Sequence, residues 1–448
     1  MNESQILAIL SDWNFWGTYH VDARDRNTYL KRLQQLFSNR TATTIYGVRR
    51  AGKSTLTALF VDRLIATGRF KANDTLIINF EDPRFEPEMD SQTLFQIYET
   101  FIKNLNPEKP VIVLDEIQNV LQWEKFARYL LEVKKDYVMI TGSSSKLLGQ
   151  EISTVLTGRH VDMEIMPLSF KEYLDFKGIT VSNELDLIRE KMPILRRFTE
   201  YTRWGGFPEV VCSDSDIRKR ELLTRYFEDI LFKDIVRRYR IKEVHKLENF
   251  ATLLLANIAT LQSFNKLKSR LRISLDTVER FARFFEMARL FFFLKKFDYS
   301  AGRQIRSISK VYVVDPGFYW VKGFKFTENL GRIAENLVAI ELMRRRVFEP
   351  EMEIYYWKDH QQREVDFVLK TGTEVKELLQ VCWNVEDERT HKREIRSLIK
   401  AGQNLRCENL TIVTEHLEDH KEVKWNGIIR KIRYVPLWKW LLDFGSDG

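Results

Sequence analysis

The chain has 448 residues, 44% of them hydrophobic and 30% charged, with a formal net charge of +8. That length and composition predict two to four domains with sizeable cores and exclude a disordered or low-complexity chain. Three cysteines (Cys212, Cys382, Cys407), without metal-ligand spacing, exclude a disulfide scaffold, and the longest apolar run, Leu290–Leu294, is far too short to span a bilayer.

The start, Met1-Asn2-Glu3-Ser4, is polar and acidic, which predicts no signal peptide. With thiols that read as reduced, the expected location is the cytoplasm, without a membrane partner. The first structural signal is Thr43-Thr44-Ile45-Tyr46, a short strand. It runs into Gly47-Val48-Arg49-Arg50-Ala51-Gly52-Lys53-Ser54-Thr55, which contains the pattern G-x-x-x-x-G-K-[ST] of a phosphate-binding loop. Gly47 and Gly52 let the backbone turn its N–H groups toward phosphates. Lys53 reaches the β- and γ-phosphates of ATP. Ser54 is a Mg²⁺ ligand and opens a helix whose N-terminus favours anions. Leu56, Leu59, Phe60 and Leu64 continue at helical spacing.

Val111-Ile112-Val113-Leu114-Asp115-Glu116 reads as a strand buried on both faces and ending in two acids. Asp115 is the expected second Mg²⁺ site, and Glu116 the base that orients or deprotonates the attacking water. A third strand, Tyr137–Ile140, ends in Thr141-Gly142-Ser143-Ser144. Ser143 and Ser144 are candidate γ-phosphate sensors; alternatively they cap a helix starting near Ser145.

A strand is predicted at 161–165 and a helix from Pro167 to Tyr173. Gly205-Gly206-Phe207-Pro208 is a turn between helices, and residues 219–239 form a long amphipathic helix. Together they suggest a helical lid beside the nucleotide. Arg159 is a candidate arginine finger or sensor, or else a solvated loop residue. Arg49 and Arg50 can act on the nucleotide or on a neighbouring subunit of a homo-oligomer.

Residues 264–310 hold twelve Lys/Arg against four Asp/Glu, a net +8, so the other 401 residues sum to about zero. A local basic patch points to a polyanionic partner or to a solvated basic face. Phe264, Leu267 and Leu271 lie on one face of a short helix capped by Ser263. Ser274 caps a longer one with Leu275, Val278, Phe281, Ala282, Phe285 and Ala288 inward. A β-rich run, Leu290–Phe297, and a second strand near Val311–Val314 complete a winged-helix layout. Its second helix would present Arg280 and Arg283 to DNA, with Lys266, Lys268 and Arg270 on phosphates. The same module can instead bind a protein.

In the last third, Gly331–Met343 is an amphipathic helix carrying Glu335. Strands at 353–357, 363–369 and 375–383 follow, the second with Asp366. This pattern reads as a restriction-endonuclease-like fold. Active members place an acid, any residue and a lysine on the third strand, where carboxylates hold Mg²⁺. Here that position reads Gln380-Val381-Cys382, so the expected lysine is absent and the nuclease site is read as degenerate. Glu374-Val375-Lys376 has the right spacing but sits beside the hairpin turn, which makes it a decoy.

Taken in order, these motifs resemble the archaeal-type AAA+ ATPase family, together with Gly205–Glu209, Asp234-Ile235-Val236, Gly331–Asn336 and Arg363-Glu364-Val365-Asp366-Phe367. The resemblance implies an α/β chain with a P-loop ATPase core at 1–165 and a helical lid at 166–245. It further implies a winged helix at 246–325 and, at 326–448, a restriction-endonuclease-like domain of unassigned function. The expected activity is Mg²⁺-dependent ATP hydrolysis with DNA as partner; the alternative is a slow ATP-gated switch acting on a protein.

Overall fold

The computed structural model describes residues 1–85, 89–143, 156, 158–323 and 329–442. They fall into two compact units, Met1–Met166 and Pro167–Gly448. No helix among the described residues is long and apolar enough to cross a membrane.

The first unit is built on five parallel strands: β1 (Ala42–Gly47), β2 (Thr75–Asn79), β3 (Val111–Asp115), β4 (Tyr137–Ser143) and β5 (His160–Ile165). Their order is β2-β3-β4-β1-β5. The edge strand β5 is partly polar and only partly buried, whereas all five residues of β3 are buried, as a strand covered on both faces requires. Helix α1 (Lys53–Ala66) leaves the end of β1, and α2 (Ser91–Leu105) starts where the Asp90 side chain accepts the N–H groups of Gln92 and Thr93. Phe101, Ile112, Leu114, Phe126 and Ile140 are wholly buried in the core. Because every strand runs the same way, Gly47, Asp115 and Ser143 share one edge, where parallel α/β sheets place their ligands. Strand β4 separates the glycine loop from the acidic strand, so its end lies between them.

The second unit begins with helices, among them α3 (Lys191–Trp204) and α4 (Asp216–Asp229). One long helix is expected over 219–239; instead α4 passes into a π-helix at Ile230–Arg237, whose wider turn shifts the buried face. Next come α5 (Val244–Ala256), β6 (Thr260–Gln262), α6 (Phe264–Leu271), α7 (Leu275–Met287), β7 (Phe291–Leu294) and β8 (Ser309–Val313), with an antiparallel sheet ordered β6-β8-β7. Helix α7 buries Val278, Phe281, Ala282 and Phe285, and Ser274 accepts the Thr277 N–H as its cap. Ser263, expected to cap α6, makes no such bond.

After α8 (Pro316–Lys322) and α9 (Leu330–Phe348), strands β9 (Met352–Lys358), β10 (Glu364–Thr371), β11 (Glu374–Val381), β12 (Leu410–Thr414), β13 (Asp419–Trp425) and β14 (Ile428–Pro436) form a mixed sheet. Its order is β13-β14-β12-β11-β10-β9, with α10 (Glu388–Leu405) packed on β10 and β11. The two sheets of this unit are joined by backbone bonds: Phe297 donates to Tyr356 at 2.7 Å, and Tyr356 donates to Lys295 at 3.1 Å. The Asn336 amide clamps both polar groups of Val313, at 2.9 and 3.0 Å. Asp315 caps α8 and accepts the Gly206 N–H at 2.7 Å. A Cβ on Gly205, at φ +74°, would fall 1.8 Å from that carboxylate, so only glycine fits. The sequence suggested separate pieces at 166–245, 246–325 and 326–448. These buried bonds cross both divisions.

Candidate functional site

The loop between β1 and α1 takes its shape from two glycines. Gly52 is left-handed at φ +90°, and Gly47, at φ +151°, lies so close to β5 that a Cβ would meet the Ile165 carbonyl oxygen at 2.0 Å. Val48 and Ala51 are buried and anchor the loop from below. Lys53 is 5% exposed, and its ammonium donates to the carbonyls of Gly47 (3.2 Å) and Val48 (3.4 Å), with Glu116 at 4.0 Å. Ser54 and Thr55 are exposed at the start of α1. Arg49 pairs with Glu81 at 3.0 Å, and Arg50 is exposed with a left-handed backbone.

The Ser54 hydroxyl donates to Asp115 at 2.9 Å, which brings the two expected Mg²⁺ ligands together. Thr141, at the end of β4, donates to the same Asp115 oxygen and accepts the Glu116 N–H at 3.2 Å. Burial, then the neighbouring Glu116, raises the Asp115 carboxyl to about 6. Glu116 has a left-handed backbone (φ +56°) and accepts a bond from the Gln118 amide. Thr141, Gln118 and Arg26 were missed in the sequence. Arg26 donates to the carbonyls of Ala51 (3.1 Å) and Met166 (2.9 Å) and braces the loop from behind. Thr141 and Gln118 had local signals, their places in Thr-Gly-Ser-Ser and in Leu114-Asp115-Glu116-Ile117-Gln118.

One expectation falls outside the described residues, and one changes. Ser143 pairs in register with Gly47, but its side chain and Ser144 lie outside the described residues, as does the helix start near Ser145. Arg159 is not beside the phosphate loop. It immediately precedes β5, whose first residue pairs with Ala42 at the start of β1, so five residue steps, about 17 Å, separate it from the Gly47 end. Its guanidinium pairs with Glu132 at 2.6 Å. A finger or sensor role toward the loop of its own chain is therefore excluded by strand direction.

In the second unit, Glu335 (α9), Asp366 and Glu364 (β10) converge on a residue the sequence had assigned to the surface patch. Lys310, on β8, is 2% exposed, and its ammonium lies 2.7 Å from Asp366, 2.7 Å from Glu364 and 3.0 Å from Glu335. Burial opposes its charge, but Asp366, Glu335, Tyr312 and Glu364 outweigh that and hold its pKa well above the usual lysine value. Glu335 is shifted upward by burial and then by Asp366, and it accepts the Tyr312 hydroxyl at 2.7 Å. Gln380 accepts the Asp366 N–H at 3.2 Å and donates to Glu394 at 2.8 Å, while burial, then Glu394, pushes the Cys382 thiol up to about 12. Lys376 is exposed and paired with Glu374. The strand position still lacks its lysine, as the sequence reads, but another lysine reaches the cluster from a different sheet. It also leaves the surface patch one charge smaller. Lys266, Lys268, Arg270, Arg280 and Arg283 are all exposed, on α6 and α7.

Residues 39–174 match the AAA domain family, 195–323 a domain of unknown function (DUF8612) and 330–437 another (DUF4143). The chain is 37% identical over 408 residues to Uncharacterized protein MJ1544 of Methanocaldococcus jannaschii, covering 89% of this chain and 88% of that one. It is 30% identical over 374 residues to an uncharacterized protein of Haemophilus influenzae, covering 82% and 89%. Among solved structures, the Walker-type ATPase PABY2304 of Pyrococcus abyssi is similar at 15% identity and a TM-score of 0.43, over 67% of this chain and 96% of that one. The chain therefore belongs to the protein family that includes M. jannaschii MJ1544, with an AAA domain at its residues 39–174.

Proposed function

We propose that the protein is a Mg²⁺-dependent ATPase that associates with DNA. The observation that carries the first half is the convergence of Lys53, Ser54, Asp115, Thr141 and Glu116 at one sheet edge behind a glycine-shaped loop. The loop N–H groups and the start of α1 bind the phosphates. The Lys53 ammonium is held by two carbonyls and turns to the β- and γ-phosphates. Ser54 and Asp115 are oxygen donors within 2.9 Å of each other, a set that suits a hard cation. Bound there, Mg²⁺ would neutralise charge on the β- and γ-oxygens. Glu116, steered by Gln118, orients the attacking water and accepts its proton. Thr141 fixes Asp115 and the Glu116 backbone at once.

DNA association is supported by the second unit. The order helix, strand, helix, helix, two strands, with sheet order β6-β8-β7, fits a winged helix, and α7 carries Arg280 and Arg283 outward. The nuclease-like reading of 326–448 rests on Glu335 and Asp366. Lys310 sits between them, which supports a domain that holds DNA without cutting it. The deciding experiment is ATP hydrolysis by the purified chain with and without single- and double-stranded DNA, alongside size-exclusion sizing. Stimulation by DNA is expected. ATP turnover indifferent to DNA, with no DNA affinity, would favour the protein-partner switch. Cleavage of plasmid, linear or branched DNA in Mg²⁺ or Mn²⁺, lost on Asp366→Ala, would show a live nuclease.

A further inference from the structure

A groove of about 750 Å³ runs between α5, α6, α8 and α9 in the second unit, and none of its lining residues lies on α7. Among the described residues, its lining holds four cations and no carboxylate: Lys246 on α5, Arg270 at the end of α6, Arg272 in the following turn and Arg332 on α9. Arg270 and Arg272 are exposed, and Arg272 is held outward by a left-handed backbone, φ +51°. Lys246 shares its charge with Glu243, and Arg332 donates to the Ala256 carbonyl at 3.4 Å; both side chains stay partly open. The floor is apolar, from Leu253, Ala256 and Leu271, and Asn249 offers an exposed amide.

The groove does not stand alone. Asn329 and Arg332 also line a second cavity, of about 570 Å³, where Glu335, Glu364, Asp366, Asp387 and Glu394 outnumber Lys310, Arg332 and Arg393. The two cavities therefore meet at Arg332, and there the lining changes sign. One small anion needs one or two of these cations. Four, drawn from three elements, match successive phosphates of a polyanion. A space of this size takes a single strand, not a duplex. Past Arg332 the carboxylates repel phosphate, so the backbone path stops there, at the mouth of the Lys310 cavity.

We propose that this groove binds single-stranded nucleic acid, its phosphates on Lys246, Arg270, Arg272 and Arg332 and its leading nucleotide at the carboxylate-lined cavity. The inference extends the DNA-associated reading and adds a second surface to it.

The test is fluorescence anisotropy of a labelled oligothymidylate of about 12 nucleotides, and of a duplex, on the full chain. Lys246→Glu with Arg272→Glu should weaken single-strand binding at least about tenfold and flatten its salt dependence. The neutral pair Lys246→Gln with Arg272→Gln should lose less, which separates charge loss from misfolding. Arg280→Glu with Arg283→Glu should weaken the duplex while leaving the single strand within about twofold. Single-strand affinity unchanged in the Lys246/Arg272 variants would overturn the groove even if the duplex reading stands. So would failure of the wild type to bind the oligonucleotide, or its displacement by millimolar inorganic phosphate, which marks a small-anion site. Loss of duplex binding in no variant would sink the α7 reading and leave the groove intact.

Discussion

Each unit of the molecule centres on a buried lysine among carboxylates, and the two are wired differently. Lys53 is held by two backbone carbonyls, with its nearest carboxylate, Glu116, at 4.0 Å. Lys310 touches three carboxylates within 3.0 Å. Neutral dipoles can hold an ammonium and release it to a phosphate without leaving a bare charge behind. Three carboxylates cannot release theirs, since the penalty for unpaired buried anions is several kcal/mol each. The first lysine is available for chemistry, and the second is committed to structure.

The largest expected effect breaks that contrast at its catalytic end. Lys53→Ala should abolish ATP binding, measured with a fluorescent ATP analogue, while the thermal midpoint stays close to wild type. Unchanged nucleotide affinity would remove Lys53 from the phosphates. At the structural end, Lys310→Met should cost about 3–5 kcal/mol, because it strands buried carboxylates. Urea unfolding of the full chain, with amide exchange read in β8 and β10, measures it. Adding Glu335→Gln should recover part of the loss, since the two sites are coupled; simple additivity would contradict the pairing. Glu116→Gln should bind ATP normally and hydrolyse it at least about 100-fold more slowly in a steady-state assay. Unaffected turnover would assign the water to another residue.

A smaller effect sharpens the comparison with a buried acid hydrogen-bonded to a hydroxyl. Asp136 accepts the Tyr98 hydroxyl at 2.8 Å, and burial raises its carboxyl to about 6, above the usual carboxylate range. The folded state therefore holds the proton more tightly. The stability this group contributes is complete below about pH 4 and lost as pH rises through 6. Asp136→Asn keeps the acceptor and removes the charge. It should be more stable than wild type at pH 8 and match it near pH 4 in urea titrations. Equal pH profiles would place the ionised carboxylate in water.

The same contrast explains what could be read from the sequence. The phosphate loop is nine contiguous residues, and Asp115–Glu116 ends a run of four apolar ones, so both were legible locally. Thr141 was passed over because sequence shows that a polar strand end is present but not which hydroxyl faces the acid. Arg159 was misplaced because the motif Thr-Gly-Arg says nothing about which end of the sheet a strand enters. Lys310 was invisible. It lies 25 residues from Glu335 and 56 from Asp366, on a strand of a different sheet, and in a charge count it looked like one more surface cation. The π-helical turn at Ile230–Arg237 left no mark on a pattern read at a period of 3.6.

The position of Lys310 also decides where this chain can be cut. A recombinant fragment beginning at Leu330 keeps α9 and the six-stranded sheet, and by sequence alone it is a natural domain. It would nevertheless enclose Glu335, Glu364 and Asp366 without their ammonium, and expose the edge where Tyr356 receives Phe297. A fragment beginning at Pro167 retains both. A fragment that keeps the carboxylates in their paired state must therefore carry β8 with them.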